Sequence, residues 1–219
     1  MVLKNVMSEL DSVFKSFEVY ASARQLIIVE SKNIVKACRE SITAAHSANA
    51  AIPGNQDDML KEAYEKAEKA GQILKNLQKN KAYGKFWRQN LNKYFITAEQ
   101  EIVEAFSLLA IIKQDEITSR DITFRTQNPD SYLKTKTTVK VSDLAYVFGL
   151  LDCVGELKRV IMDSLNRTDS DFAKKVFVIM QELFQKLEPF TQFSNSFDHL
   201  KPKIDAARYA VNDAKKLLK

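Results

Sequence analysis

The sequence predicts an all-α protein, a single-domain bundle of about seven helices over residues 1–219. Gly and Pro number only 5 and 4 in the chain, whereas Ala, Leu, Lys and Glu are common, as is typical of long helices. Apolar residues also recur at helical spacing through most of the chain. Hydrophobic residues make up 45% and charged residues 28%, which indicates a globular chain that can bury a core.

The predicted helices of the first half follow one another with short interruptions. Residues 2–48 have helical periodicity without Pro or Gly and predict one unusually long helix, which ends near IPGNQDD at 52–58. The next helix, about 57–79, carries i,i+4 charge pairs and a thin apolar stripe. Residues 96–114 predict a helix that is apolar almost all round, apart from its acids.

The second half begins with a different composition. Residues 118–141 are rich in Thr and other polar residues, and they predict a long loop, with a short helical turn or two extended pieces but no sheet. Ser142 is a candidate N-cap for a helix over 142–165. Two further helices are predicted over 170–188 and about 196–218.

Charge and cysteine content narrow the class of protein. The formal net charge of +5 fits an anionic partner such as nucleic acid. Cys38 and Cys153 both lie in helical apolar patterns, which predicts reduced core thiols and a cytoplasmic location. Neither a signal peptide nor a run of about 20 apolar residues is visible, so no membrane association is expected.

Two pairs of acids interrupt the apolar helices. Glu101 and Glu104 lie on one face of the helix 96–114, and Asp152 and Glu156 lie together at the edge of the apolar stripe of 142–165. The nearby small residues Ala145 and Gly149 are expected to leave room beside the second pair. If the two helices pack, four carboxylates converge, and like charges share a dry pocket only when protonated or neutralised. A hard divalent cation such as Mg²⁺ would neutralise them and suits phosphate-ester chemistry.

The pattern leaves alternatives open. Acids at i,i+3 or i,i+4 are commonly just solvated helix charges, so each pair alone is weak evidence. If a phosphodiester is attacked, the nucleophile is either a metal-bound water or a substrate 2′-hydroxyl. Other catalytic motifs are missing from the sequence, which contains no HExxH, ExxH, CxxC, GxxxxGK or GxGxxG pattern.

A basic and aromatic stretch, KFWRQNLNKYF at 85–95, offers a surface for single-stranded RNA through phosphate contacts and base stacking. The alternative is an amphipathic helix with its aromatic residues in the core. A further basic face on the first helix includes Lys32. The candidate nucleic-acid contacts in these two segments are Lys32, Lys85, Trp87 and Arg88.

Four blocks of sequence resemble the translin superfamily, and they resemble its translin-associated factor X (Trax) branch more than translin itself. They are RQLIIVESK (24–32), FWRQN…AEQEIVEAFSLL (86–109), VSDLAYVFGLLDCVGELKR (141–159) and KIDAARYAVNDAK (203–215). The resemblance spans nearly the whole chain, and the EIVEA and DxxGELxR patterns are its most specific parts.

The resemblance implies a seven-helix bundle that assembles into hollow, octamer-like shells around single-stranded RNA or DNA. It implies Mg²⁺-dependent endoribonuclease sites, with Mn²⁺ as a substitute, whose acids fall here on Glu101, Glu104, Asp152 and Glu156. The basic motif of translin falls on Lys85, Trp87 and Arg88, although its histidines are absent here. The compact chain, without the extended Trax N-terminus, implies a prokaryotic, archaeal homologue that forms a homo-oligomer or joins a translin-like subunit.

The predicted function is therefore Mg²⁺-dependent cleavage of single-stranded RNA inside an oligomeric shell. Arg88, Lys32 and Arg159 are candidate phosphate contacts, although Arg159 lies one turn beyond Glu156 and is equally placed to pair with it. Three other functions stay open. They are a non-catalytic single-stranded RNA or DNA-binding shell, an all-α Mg²⁺-dependent nucleotide pyrophosphatase, and a helical scaffold whose acids are incidental.

Overall fold

The structure is a computed structural model, and it describes residues 2–51, 56–80, 91–113, 117, 119–127 and 134–219. Within these residues the chain forms six α-helices and one β-hairpin. The elements are α1 (Val2–Ala50), α2 (Gln56–Lys79), α3 (Ile96–Lys113), β1 (Asp121–Gln127), β2 (Lys134–Lys140), α4 (Asp143–Asn166), α5 (Ser170–Leu187) and α6 (Leu200–Leu217). Two short 3₁₀ helices cover Asn92–Tyr94 and Glu188–Phe193.

Helix α3 lies at the centre of the fold. It packs against α1, α2 and α4, and α4 in turn packs against α5 and α6. Because helices cover it on several sides, α3 is buried almost all round, as residues such as Ile102, Leu108 and Leu109 show. This position explains why its sequence is apolar with no clear polar face.

The all-α prediction is confirmed, with six helices in the described residues where about seven were expected. The long first helix has 49 residues and a length of about 73 Å at 1.5 Å per residue. Its later part is buried through residues such as Ile27 and Ile34, whereas large apolar side chains between Val6 and Val19 are exposed.

The prediction of no sheet over residues 118–141 is wrong. Strands β1 and β2 pair antiparallel, with Ile122 opposite Val139 and Thr123 opposite Thr138. Ile122 and Val139 are buried, whereas the two threonines are exposed. This alternation with period two is the pattern of a half-buried strand, and the high Thr content that suggested a loop is equally typical of strands.

The hairpin is held on the surface of α2. The ring of Phe124 packs where Gly71 has no side chain, since a Cβ there would lie 2.5 Å from the ring. The same ring lies 5.7 Å from that of Phe106, measured between centroids. Gln78 Nε2 also donates a hydrogen bond of 2.8 Å to the carbonyl oxygen of Lys140. One aromatic residue therefore couples the hairpin to both α2 and α3.

The two cysteines are free and buried, as core thiols are expected to be. Burial raises the pKa of both thiols well above the usual value, and nearby carboxylates raise it further. The thiols therefore stay protonated, which argues against a nucleophilic role. None of the described helices has both the length and the hydropathy needed to cross a membrane.

Candidate active site

The site begins with an unusually close contact between α3 and α4. Gly149 lies against α3, where a Cβ would meet the carbonyl oxygen of Gln100 at 2.5 Å and the Cβ of Val103 at 2.6 Å. The expectation that Gly149 leaves room beside the acids is therefore wrong, because the backbone of α3 fills that space. Gly155 is the glycine with open space around it, since a Cβ there would meet nothing within 4 Å.

This close contact brings both acid pairs to one region. Glu101 and Glu104 are buried, each with 8% relative exposure. Asp152 and Glu156 from α4 are half-buried. The four charges are near enough to act on one another, since Asp152, Glu101 and Glu156 all raise the pKa of Glu104. We name these four residues the acidic cluster.

Three members of the acidic cluster have a basic partner of their own. Arg39 Nη2 of α1 lies 3.2 Å from Oε1 of Glu101. Lys203 Nζ of α6 lies 2.6 and 2.7 Å from the two carboxylate oxygens of Asp152. Gln100 Nε2 donates a further hydrogen bond of 2.5 Å to Asp152 Oδ2.

The third pair joins α4 to a buried histidine of α1. His46 Nε2 lies 2.6 Å from Oε2 of Glu156, and His46 Nδ1 lies 3.7 Å from Oδ2 of Asp163. The hydrogen bond from His46 lowers the pKa of Glu156, against the effect of burial. Arg159 is exposed and lowers that pKa further through its charge. His46, rather than Arg159, is therefore the hydrogen-bond partner of Glu156.

Glu104 differs from the other three acids. Among the described residues it has no hydrogen-bond or ion-pair partner. Burial, followed by the charges of the three other acids, raises its pKa from 4.5 to about 9. Burial also raises the pKa of Glu101, with Arg39 acting in the opposite direction. Near neutral pH the acidic cluster therefore holds a proton on Glu104 in the absence of a further cation.

The residue types of the acidic cluster fit Mg²⁺, which prefers oxygen ligands. Their present orientation does not complete a metal site, because no group of three or more His, Cys, Asp or Glu residues in the described chain could hold a metal ion as it stands. Three of the acids instead contact basic partners of their own. A divalent ion could bind here only if at least one of these pairs, such as Asp152 and Lys203, opened.

A cleft of about 520 Å³ gives access to the acidic cluster between α4 and α6. Three of its four acids line the cleft, together with Lys203, and Glu101 does not. The expectation that all four share one cavity is therefore met only in part. His199 also lines the cleft, and its φ of 67° puts it in the left-handed region at the start of α6. The residues lining the cleft include Glu104, Asp152, Gly155, Glu156, His199 and Lys203.

A second opening, a groove of about 820 Å³, lies along α1 and α2, and its lining holds four basic residues and two acids, Glu40 and Glu62. The predicted phosphate contact Lys32 lines it, beside Lys36 and Arg39. Arg39 connects the groove to the acidic cluster, because its side chain is 69% exposed while its guanidinium reaches Glu101. The other predicted contacts, Lys85, Trp87 and Arg88, lie outside the described residues.

Sequence reasoning did not assign four of the polar residues that surround the acidic cluster. Arg39, His46 and Gln100 lie in helices that the sequence did predict, yet nothing in their local pattern points at an acid more than 50 positions away. Lys203 lies in one of the quoted sequence blocks, where it reads as an ordinary helix cation. These four residues became identifiable only when the helices were packed.

The fold and the site together define an all-α bundle with a partly buried carboxylate cluster at the contact of two helices. Comparison with known families gives the same class a name. The Translin family model matches residues 22–217, so this chain belongs to the Translin family. The predicted superfamily is thereby confirmed, whereas assignment to the Trax branch and an archaeal origin stay predictions.

Solved structures with the same fold include two of AfC3PO and one of NeC3PO. The complex of AfC3PO with duplex RNA has a TM-score of 0.74 at 23% identity, over 96% of this chain and 94% of that chain. A second crystal structure of AfC3PO has a TM-score of 0.73 at 22% identity, over 96% of this chain and 95% of that chain. Apo-NeC3PO has a TM-score of 0.64 at 20% identity, over 95% of each chain.

A relative in sequence is an uncharacterised protein of Methanocaldococcus jannaschii. It is 24% identical over 203 residues, which cover 92% of this chain and 78% of that protein. These identities are low, so the likeness supports the shared fold alone.

Proposed function

We propose that this protein is a Trax-like, Mg²⁺-dependent endoribonuclease that cuts single-stranded RNA. The observation that carries the proposal is Glu104, a buried acid without a basic partner among the described residues, surrounded by three other carboxylates. An arrangement that raises a carboxyl pKa to about 9 lowers the stability of the fold at neutral pH. Such strongly shifted groups are concentrated at functional sites. A divalent cation is the partner that would best compensate so much negative charge.

RNA as the substrate is supported by the basic groove. Lys32, Lys36 and Arg39 lie at helical spacing along α1 and can follow a phosphate backbone toward the acidic cluster. The net charge of +5 favours the same class of partner. AfC3PO, which has the same fold, has been solved with duplex RNA, so duplex and single-stranded RNA both belong in the test.

Within this proposal, Glu104, Asp152 and Glu156 would hold the metal from the cleft, with Glu101 beside them. The ion, when bound, supplies a Lewis acid that stabilises negative charge on the phosphate. Arg39 orients a substrate phosphate from the groove side, since its guanidinium already lies between the groove and the cluster. His46 holds Glu156 ionised and oriented, which keeps that carboxylate available as a ligand or a proton acceptor.

The double substitution Asp152→Asn with Glu156→Gln tests the proposal. Both changes keep the side-chain shape and remove negative charge, so we expect cleavage of labelled single-stranded RNA in Mg²⁺ to fall at least about 100-fold. Products are resolved on a denaturing gel, with and without EDTA, for single-stranded RNA, duplex RNA and single-stranded DNA.

The matched control is Asp171→Asn with Glu182→Gln, which removes the same two charges from exposed positions of α5. Its cleavage should equal that of the wild type. Undiminished cleavage by the Asp152 and Glu156 variant, or wild-type cleavage that EDTA leaves intact, would contradict the metal-dependent assignment. Turnover of nucleoside triphosphates, measured in the same buffers, would favour the pyrophosphatase alternative.

A non-catalytic nucleic-acid-binding protein is the second candidate. One observation favours it, namely that three of the four acids are already paired with Arg39, Lys203 and His46. Such a protein would retain single-stranded RNA in Mg²⁺ without forming products. Running the same reactions on a native gel as well separates the two candidates, because RNA that is retarded on the native gel yet intact on the denaturing gel is expected only in the non-catalytic case.

We also propose that the chain acts as an oligomer, either of identical subunits in an octamer-like shell or together with a translin-like subunit. Support comes from α1, where Met7, Leu10, Phe14 and Phe17 are all exposed. These residues recur at spacings of three and four, which places them on one face of the helix. A continuous apolar face of this kind is expected to be covered by another chain.

A further inference from the structure

Lys203 has a position in the acidic cluster that the proposed reaction has not used. Its ammonium group bridges both carboxylate oxygens of Asp152, at 2.6 and 2.7 Å. It also lies 5.4 Å from the ring centroid of Phe148, so the end of the side chain packs against an aromatic face. Only 23% of the side chain is exposed. Lys203 is therefore a component of the site rather than a mobile surface lysine.

The charge of Lys203 reaches more than its direct partner. Besides pairing with Asp152, it lowers the pKa of Glu101 and of Glu104 through its charge. One monovalent cation on α6 thus partly neutralises three acids of α3 and α4. A divalent ion bound at the site would neutralise the same acids.

The same oxygens cannot serve both cations at once. Asp152 Oδ1 accepts a hydrogen bond from Lys203, and Oδ2 accepts one from Lys203 and another from Gln100. A metal ion that takes Asp152 as a ligand must displace the ammonium group from at least one of these oxygens. The four-carbon stem of lysine is flexible, so the displaced ammonium group could turn aside. It would stay within the cleft, because Lys203 lines that cleft.

We propose that Lys203 is an exchangeable counter-ion, which neutralises Asp152 in the metal-free protein and moves to a phosphate of the RNA when a divalent ion binds. This inference rests on the proposed metal-dependent function. It adds a residue from a fourth helix, α6, to a site that α1, α3 and α4 already form, and gives that residue two successive partners. It also accounts for the present orientation of Asp152, which faces α6 instead of completing a metal site.

The first test measures metal affinity in the absence of RNA. Lys203→Met keeps an unbranched side chain of similar reach that can still pack on Phe148, but it removes the competing charge. We expect the dissociation constant for Mn²⁺, measured by electron paramagnetic resonance or calorimetry, to fall roughly two- to fivefold, the range that corresponds to loss of one partly exposed ion pair. Lys203→Gln, a second variant with a polar end, should act in the same direction.

Lys201→Met is the matched control. Lys201 lies on the same helix, is exposed and pairs with Asp205 at 2.5 Å, away from the acidic cluster. Its removal should leave the Mn²⁺ dissociation constant unchanged. Circular dichroism of all the variants checks that α-helical content is retained.

The second test measures RNA binding with Ca²⁺ in place of Mg²⁺. If Lys203 contacts a phosphate once the ion is bound, Lys203→Met should weaken binding of single-stranded RNA and lower the slope of log affinity against log salt by about one. Tighter metal binding together with weaker RNA binding is the result that a purely structural lysine would not produce.

The outcomes separate the two proposals. If wild-type protein binds Mn²⁺ and folded Lys203→Met or Lys203→Gln binds it no more tightly, the counter-ion role is wrong while the metal site stands. If neither the wild type nor these variants bind Mn²⁺, the metal site and the counter-ion role both fall. Mn²⁺ binding by the Lys203 variants but not by the wild type would support the counter-ion role most directly.

Discussion

At the scale of single residues, the acidic cluster depends on how each carboxylate is compensated. Glu101 has Arg39, Asp152 has Lys203 and Glu156 has His46, whereas Glu104 has three acids as neighbours. Burial alone raises a carboxyl pKa, and nearby like charges raise it further. Glu104 is thus the member of the cluster whose protonation is coupled most strongly to folding.

This coupling predicts a pH dependence of stability. The pKa of Glu104 is about 9 in the folded protein and 4.5 ordinarily, so the folded state holds its proton more tightly than the unfolded state. Its contribution to stability is complete below pH 4.5 and is lost as the pH rises toward 9. Glu104→Gln cannot ionise. The variant should therefore gain stability over the wild type as the pH rises, by at most about 1.4 kcal/mol per pH unit.

Urea unfolding in EDTA between pH 5 and pH 8.5 measures this difference. Glu182→Gln, at an exposed position of α5, is the control and should differ from the wild type by a constant amount. If the curves for Glu104→Gln and the wild type ran parallel, the raised pKa of Glu104 would be refuted.

At the scale of secondary-structure elements, the site depends on how closely α3 and α4 approach. The two helices meet where Gly149 faces the backbone of Gln100, and the acids lie within two turns of that contact. The contact cannot relax by rotating a side chain alone, because the nearest atom to a Cβ at 149 is a backbone oxygen. The spacing of the helices is therefore set by the absence of one methyl group.

Gly149→Ala should destabilise the fold by about 1–3 kcal/mol, since the added methyl group overpacks a tight helix contact. Gly155→Ala, six residues further along the same helix, meets open space. It should be neutral or stabilise the helix by up to about 1 kcal/mol, because Ala is the better helix former. Chemical denaturation of both variants gives the comparison, and equal effects would contradict the close contact at Gly149.

The sequence of the β-hairpin, unlike that of the helices, does not by itself distinguish a strand pair from a polar loop. Its buried residues, Ile122, Phe124 and Val139, alternate with threonines, but a run of Thr and Lys with a turn between also resembles a polar loop. The hairpin exists because Phe124 packs over Gly71 and against Phe106. A two-stranded sheet is only marginally stable alone, so this support from α2 and α3 decides the outcome.

At the scale of the whole molecule, the exposed apolar face of α1 predicts assembly. Phe14 and Phe17 are 64% and 70% exposed, which is unusual for phenylalanine in a protein that acts as a monomer. If another chain covers this face, Phe14→Lys with Phe17→Lys should shift the protein to a species of lower mass in size-exclusion chromatography with light scattering, because lysine cannot be buried there cheaply.

Ser12→Lys with Ser16→Lys is the control for assembly. At 100° per residue these serines lie on the opposite side of α1, so the same two charges should leave the mass unchanged. An unchanged mass for the Phe14 and Phe17 variant, with the wild type larger than a monomer, would place the subunit contact elsewhere on the chain.

The sequence by itself determined most of the fold, because the evidence for it is local. Helical periodicity, scarce Gly and Pro and the position of Ser142 just before a helix are properties of neighbouring residues, and they located α1, α2, α3, α4 and α5 to within a few positions. The Translin likeness was also visible in short blocks. The four acids could be singled out because a charged residue within an apolar helix is unusual, whichever element that helix packs against.

Only the tertiary structure decided how those acids are compensated. Arg39, His46 and Lys203 reach them from α1 and α6, at separations of 62, 110 and 51 positions along the chain. No local pattern encodes such pairings, since they depend on the distance and angle at which separate helices meet. The spacing of α3 and α4 at Gly149 and the docking of Phe124 depend on packing in the same way. Pattern therefore identifies which side chains are anomalous, and packing determines which partner each of them meets.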